Sequence, residues 1–148
     1  MDFGVTVLPD PPFSRWLELI QLAEKHGFGY AWTYDSHVLW QESIPMLAVA
    51  ARETTKIKLG HFVTNPATRD PTVLASSYAT LHDLSDGRMA MGVGRGDSAV
   101  RYIGRQPMKV AEFDTAPKTP PCILIILIAA RWLPWSVAPQ QSSSSRHS

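Results

Sequence analysis

The chain has one cysteine, no run of basic residues and no long apolar stretch, and each scarcity removes a class of function. Cys122 alone cannot form an internal disulfide, and Met1-Asp2-Phe3-Gly4 lacks the basic start and apolar stretch of a secretory signal. A reducing, cytoplasmic setting is expected. The longest apolar stretch, Cys122 to Ala130, is nine residues, about half of the roughly 20 that a membrane helix needs. Fourteen Lys and Arg against thirteen Asp and Glu leave a net charge of +1, with no basic stripe to track phosphates. Neither nucleic acid nor a membrane is expected as a partner. Acidic residues are also missing past Asp114, where Pro117, Pro120, Pro121, Pro134 and Pro139 crowd the chain and Ser142 to Ser145 close a polar run. Residues 1–114 are therefore expected to form the folded unit, and 115–148 a disordered tail rich in Pro and Ser.

What is present is a rhythm of short apolar runs, three of which end in polar clusters: Tyr34-Asp35-Ser36-His37, Thr64-Asn65, and Gly94-Arg95-Gly96-Asp97-Ser98. Phe3 to Leu8, Tyr30 to Tyr34, Ile57 to Val63 and Arg88 to Val93 read as strands. Between them, Trp16, Leu19, Ile20 and Ala23 recur at helical spacing, with Gly27 placed to end that helix. Pro45 is placed to open a second helix over about 44–54, and Asp70-Pro71 opens a third that runs to about Leu84. Strands alternating with such helices predict an α/β fold with a parallel sheet, either doubly wound or part of a (β/α)₈ barrel.

Gly92-Val93-Gly94-Arg95-Gly96-Asp97 is not a dinucleotide fingerprint, because the spacing is too short and the motif follows the fourth strand. Its glycines still leave a loop without Cβ atoms, which lets a flat ring or a phosphate approach the backbone. Asp97 then sits at the rim of that surface or caps the next helix. His37 carries an imidazole, which can donate or accept at a reacting atom, and stands two residues beyond Asp35 at one strand end, so it is a candidate proton donor, with an ordinary loop histidine as the alternative. His61, inside a strand, reads as a packed or hydrogen-bonded histidine. A metal site from His37, His61 and Asp97 has little support, since the first strand offers no ligand. Tyr34 and Trp40 flank the Asp35 to His37 cluster and could wall a pocket for a planar ligand.

Three motifs in order, Ala31-Trp32-Thr33-Tyr34-Asp35-Ser36-His37, Leu59 to Pro66 with Arg69-Asp70-Pro71-Thr72, and Leu84-Ser85-Asp86-Gly87-Arg88 leading into Gly92 to Asp97, resemble the luciferase-like monooxygenase superfamily. The similarity covers roughly residues 1 to 113 and looks closest to the branch that uses a deazaflavin. The resemblance implies a TIM (β/α)₈ barrel, of which this chain supplies the first half, truncated. It implies an oxidoreductase or monooxygenase acting on a small molecule, with a deazaflavin coenzyme of the 8-hydroxy-5-deazaflavin type or FMN as cofactor. Carried over by position, His37 and Asp97 take catalytic roles, and Asp35, Thr64, Asn65, Gly94 and Gly96 bind the cofactor. The pattern dissolves after about Phe113, as in a truncated or frame-shifted product. The alternative expectation is a non-catalytic fragment, aggregation-prone or homo-oligomeric through its open strand edges.

Overall fold

A computed structural model describes residues 1–115. The tail expected over 115–148 lies, past Thr115, outside the described residues. Along the chain come β1 (Gly4–Thr6), α1 (Phe13–Lys25), β2 (Tyr30–Thr33), α2 (Ser43–Glu53), β3 (Lys58–Thr64), α3 (Pro71–Leu84) and β4 (Met89–Val93), then the short helices α4 (Ser98–Tyr102) and α5 (Val110–Thr115). The strands form one sheet in the order β1-β2-β3-β4, and every pair is parallel. A doubly wound sheet reverses its direction of strand addition, and this one does not. Four successive βα units adding in one direction are the first half of a TIM barrel.

Local chemistry accounts for the boundaries. Trp16, Ile20 and Ala23 are the buried positions of α1, and Gly27 takes φ +80° while Phe28 N–H donates to the Ala23 carbonyl, ending the helix. Asp70 accepts from Thr72 N at 2.8 Å and Pro71 is the first residue of α3, as the sequence predicts. α2 instead opens at Ser43, two residues before Pro45, because the Glu42 carboxylate accepts from Ile44 N at 3.2 Å.

Alternate residues of each strand face opposite ways. Ala31 and Leu59 pack with Trp16 and Ile20 of α1, Leu47 and Ala50 of α2 and Leu81 of α3 into the core. Each fully buried aliphatic side chain there contributes about 1.5–3 kcal/mol. The other sheet face, which a closed barrel would turn inward, carries stacked Tyr30 and Trp32 (ring centroids 5.4 Å apart) and Phe62, 5.8 Å from Trp32. Gly60 lies on this face, and a Cβ there would meet the Ala90 carbonyl oxygen at 1.8 Å. Only glycine lets β3 and β4 come this close.

Beneath the amino-terminal ends of the strands, Glu24 Oε1 accepts from Thr55, Lys56 and Ile57 N–H at 2.8, 2.6 and 3.0 Å. Burial pushes the Glu24 carboxyl up, but these backbone hydrogen bonds outweigh it and hold the group below its ordinary value. Arg88 donates to the carbonyls of Ala51, Thr54 and Ile57, satisfying groups that the end of α2 leaves open.

Candidate active site

The carboxyl ends of β2, β3 and β4 surround a cavity of about 450 Å³. One wall is the segment after β2, with Tyr34, Leu39 and Trp40; Phe62 and Val63 supply a second; and the glycine loop after β4, Gly94 to Asp97, a third. At Phe62-Val63 the peptide is cis, and the register with β4 shifts between His61 and Thr64. Phe62 is 58% exposed, so this wall of the cavity is apolar and open.

Beside the cavity one arginine bridges two carboxylates. The Asp35 carboxylate, whose side chain is 1% exposed, accepts from Thr64 Oγ1 at 2.6 Å and from Arg69 Nε and Nη2 at 3.1 and 2.9 Å. Burial alone pushes the Asp35 carboxyl up, yet the hydrogen bonds from Arg69 and Thr64 outweigh it and hold the group below the ordinary carboxylate value. Arg69 also reaches both oxygens of Glu42, at 2.7 and 2.8 Å, and its pKa is raised, first by the Asp35 hydrogen bonds.

His61 is fully buried beside this set, with Nδ1 2.5 Å from the Tyr78 hydroxyl and Nε2 2.7 Å from Ser43 Oγ. Both ring nitrogens are occupied, so the packed, hydrogen-bonded histidine that the sequence indicates is what the fold contains. Burial pulls its pKa down to about 4 and pushes the Tyr78 hydroxyl up. Ser43, His61 and Tyr78 look like a nucleophile and base by type, but Ser43 is 1% exposed, out of reach of a substrate.

The expected site residues fall in different places. Asp35, Asn65, Gly94, Gly96 and Asp97 line the cavity. Asn65 is buried, and its Oδ1 accepts from the Ala67 and Thr68 N–H groups, shaping the turn after β3. Gly96 has φ +79°, and a Cβ there would meet Val100 at 2.6 Å. Thr64 lies just beneath the wall, fully buried, its hydroxyl given to Asp35 and its carbonyl accepting from Gly94 N–H at 2.8 Å. His37 is exposed on the turn between Ser36 and Leu39; those two residues line the cavity and His37 does not. Asp97 is exposed and pairs with Arg101 at 2.6 Å. That hydrogen bond lowers its pKa, so the environment of this carboxylate is the reverse of a buried, proton-holding acid. It stands at the N-cap position of α4, but its side chain makes no cap hydrogen bond. Sequence reasoning missed the Glu42–Arg69 pair and the partners of His61, because these contacts join residues 27, 18 and 17 positions apart.

Comparison with known proteins agrees with this architecture. The family model described as luciferase-like monooxygenase matches residues 1–114. The 5,10-methylenetetrahydromethanopterin reductase of Methanopyrus kandleri is 44% identical over 99 residues, which are 67% of this chain and 28% of that protein. The solved structure of the coenzyme F420 dependent tetrahydromethanopterin reductase from the same organism is 39% identical and superposes with a TM-score of 0.63, covering 82% of this chain and 31% of the other. The oxygenating constituent of 3,6-diketocamphane monooxygenase from Pseudomonas putida, solved in complex with FMN, shares the fold at a TM-score of 0.62 and 17% identity, with 86% of this chain and 37% of that one covered. The chain thus spans about a third of the length of these relatives. Four parallel βα units, a glycine loop after β4 and a family match over nearly all the described residues have one reading: the chain belongs to the luciferase-like monooxygenase family.

Proposed function

We propose that the strand-end cavity holds the ring of a deazaflavin coenzyme of the 8-hydroxy-5-deazaflavin type or of FMN, as part of an oxidoreductase acting on a small molecule. The observation that carries this is the pairing of a Cβ-free floor at Gly94 and Gly96 with the Trp40 and Phe62 walls. A volume of about 450 Å³ suits such a ring, since ligand sites commonly run about 300–1,000 Å³. The relatives described as F420 dependent and as bound to FMN support the same class. When bound, the ring supplies the redox chemistry, hydride transfer or oxygen-dependent monooxygenation.

The residues of this chain orient the ring and exclude water. Leu39, Trp40, Phe62 and Val63 offer apolar surface, while Gly94 and Gly96 let the ring approach the loop backbone. Asp35, Thr64 and Asn65 act on the cofactor through the shape of the wall that their hydrogen bonds hold. His37, on the turn that carries Ser36 and Leu39, is assigned to moving a proton at the reacting edge, with Asp97, paired with Arg101 on the cavity rim, as the alternative.

The test is titration of the full chain with FMN and with the 8-hydroxy-5-deazaflavin ring, following ligand fluorescence. Saturable quenching with a Kd of at least about 10 μM is expected, because ring contacts alone must offset the cost of ordering the ligand. Gly94→Val, which puts a branched side chain on the floor, should weaken both. Absence of saturable quenching at about 1 mM ligand would remove the reading.

The outer sides of β1 and β4 pair with no strand among the described residues. An apolar groove of about 530 Å³ runs along β1 and α1, lined by Val5, Val7, Leu19, Leu22 and Phe28 among others. We infer that the isolated chain associates with itself through these edges.

A further inference from the structure

Two arginines brace opposite ends of the sheet, and they do so differently. Arg88, at the amino-terminal ends, fastens mainly to backbone carbonyls of the α2–β3 connection. Arg69, at the carboxyl ends, fastens to two side chains, Asp35 on the segment after β2 and Glu42 at the start of α2. These partners bracket the stretch that carries Ser36, Leu39 and Trp40, the cavity wall that belongs to no helix or strand. Inside that stretch the backbone is held by Leu39 and Trp40 N–H donating to the Ser36 carbonyl at 2.9 Å and by Gln41 N–H donating to Pro9 at 3.1 Å. Gln41 Nε2 also donates to the Pro11 carbonyl at 3.5 Å, so the far end of the wall is tied to the segment after β1, while its Asp35 end rests on Thr64 and Arg69. The planar guanidinium uses Nε and Nη2 on Asp35 and Nη2 again on Glu42, so one rigid group sets the distance between the two anchors.

We propose that Arg69 is a positioning residue for the ring cavity: by tying Asp35 to Glu42 it fixes the 36–41 wall opposite the glycine loop. This rests on the ring-site reading for its functional consequence and on geometry alone for its mechanical part. A bracing role confined to stability would treat both ends of the sheet alike. A positioning role moves the wall and leaves the opposite end unchanged.

Amide hydrogen exchange on the full chain, without ligand, separates the two. Arg69→Met should speed exchange at Leu39, Trp40 and Gln41 by at least about tenfold while Thr55 to Ile57 stay protected, and Arg88→Met should do the converse. Arg69→Lys keeps the charge without the fork and should fall between Arg69→Met and the native chain. Glu42→Gln, at a side chain 44% exposed, takes the charge and one acceptor from the second anchor without unfolding the chain and should loosen the same three amides by about threefold. In FMN titrations well below the melting temperature, Arg69→Met should weaken binding about tenfold and Arg88→Met less than twofold. Unchanged exchange over 39–41 in both Arg69→Met and Glu42→Gln, or equal loosening by Arg88→Met, overturns the proposal. Loosened amides together with no FMN binding by the native chain would leave the positioning intact and refute the ring-site reading.

Discussion

His61 and Tyr78 share a hydrogen bond of 2.5 Å between β3 and α3, in a place that solvent does not reach. Charging that imidazole inside the fold costs burial energy, which is why its pKa falls to about 4, whereas the unfolded chain titrates near the ordinary 6.5. Between those values the unfolded state binds a proton that the folded state refuses, so stability is full above about pH 6.5 and declines as pH falls toward 4. The loss should amount to roughly 3 kcal/mol across the window. Denaturant unfolding from pH 7.5 to 4 checks this, and His61→Gln should flatten the slope. Asp35 acts in a separate, more acidic range: its depressed pKa adds stability that is lost only as pH falls below the ordinary carboxylate value.

Glu24→Gln should destabilise the chain by about 1–3 kcal/mol, because an amide oxygen replaces a carboxylate that gathers the backbone N–H groups of Thr55, Lys56 and Ile57. Urea unfolding gives the magnitude. Ring binding, measured on the same variant, should not move, since Glu24 sits at the end of the sheet away from the cavity.

Gly60→Ala should be more damaging than its size implies. A methyl group 1.8 Å from the Ala90 carbonyl oxygen forces β3 and β4 apart. A loss above about 3 kcal/mol, or failure to fold, is expected by circular dichroism melting. A melting temperature within a few degrees of the native chain would show that the sheet can absorb the shift.

In a full-length enzyme carrying these residues, His37→Ala should lower kcat by about 10²–10⁴-fold if His37 moves the proton. Its exposure on a turn means the melting temperature should hardly change. Asp97→Asn is the companion variant: collapse of turnover there, with His37→Ala unaffected, transfers the role to Asp97. Unchanged turnover in both variants would assign the two residues to loop structure only.

The isolated chain should sediment as dimers or larger species at micromolar concentration, through the outer edges of β1 and β4. A Met91→Lys change, which adds a charge on edge strand β4, should shift the distribution toward monomer. Strict monomers in the native chain would show that the edges are protected in another way.

Much of this fold is legible in the sequence because it is written locally. Asp70-Pro71 and Gly27 mark helix ends through their own backbone chemistry, and each marks the boundary found in the structure. The helix expected from about residue 44 opens one residue earlier, at Ser43, since the capping carboxylate of Glu42 lies upstream. α4 and α5, of five and six residues, are too short for periodicity to register. The candidate cavity was legible as strand ends with a glycine loop, but its supports were not. That Arg69 selects Asp35 from 34 positions away depends on how β2 and α3 are brought together, which no local pattern encodes.

The contrast between the two arginine braces also bears on how such sequences diverge. A brace that grips backbone carbonyls, as Arg88 does, tolerates drift in its neighbours' identities, because every residue type presents the same carbonyl. A brace built from side chains on both sides does not. Replacing Asp35 strands a guanidinium, and replacing Arg69 strands a carboxylate that is 1% exposed. Among descendants of this sequence, Asp35 and Arg69 are therefore expected to change together, whereas Arg88, which apart from the Thr54 hydroxyl grips only carbonyls, is expected to tolerate more variation around it.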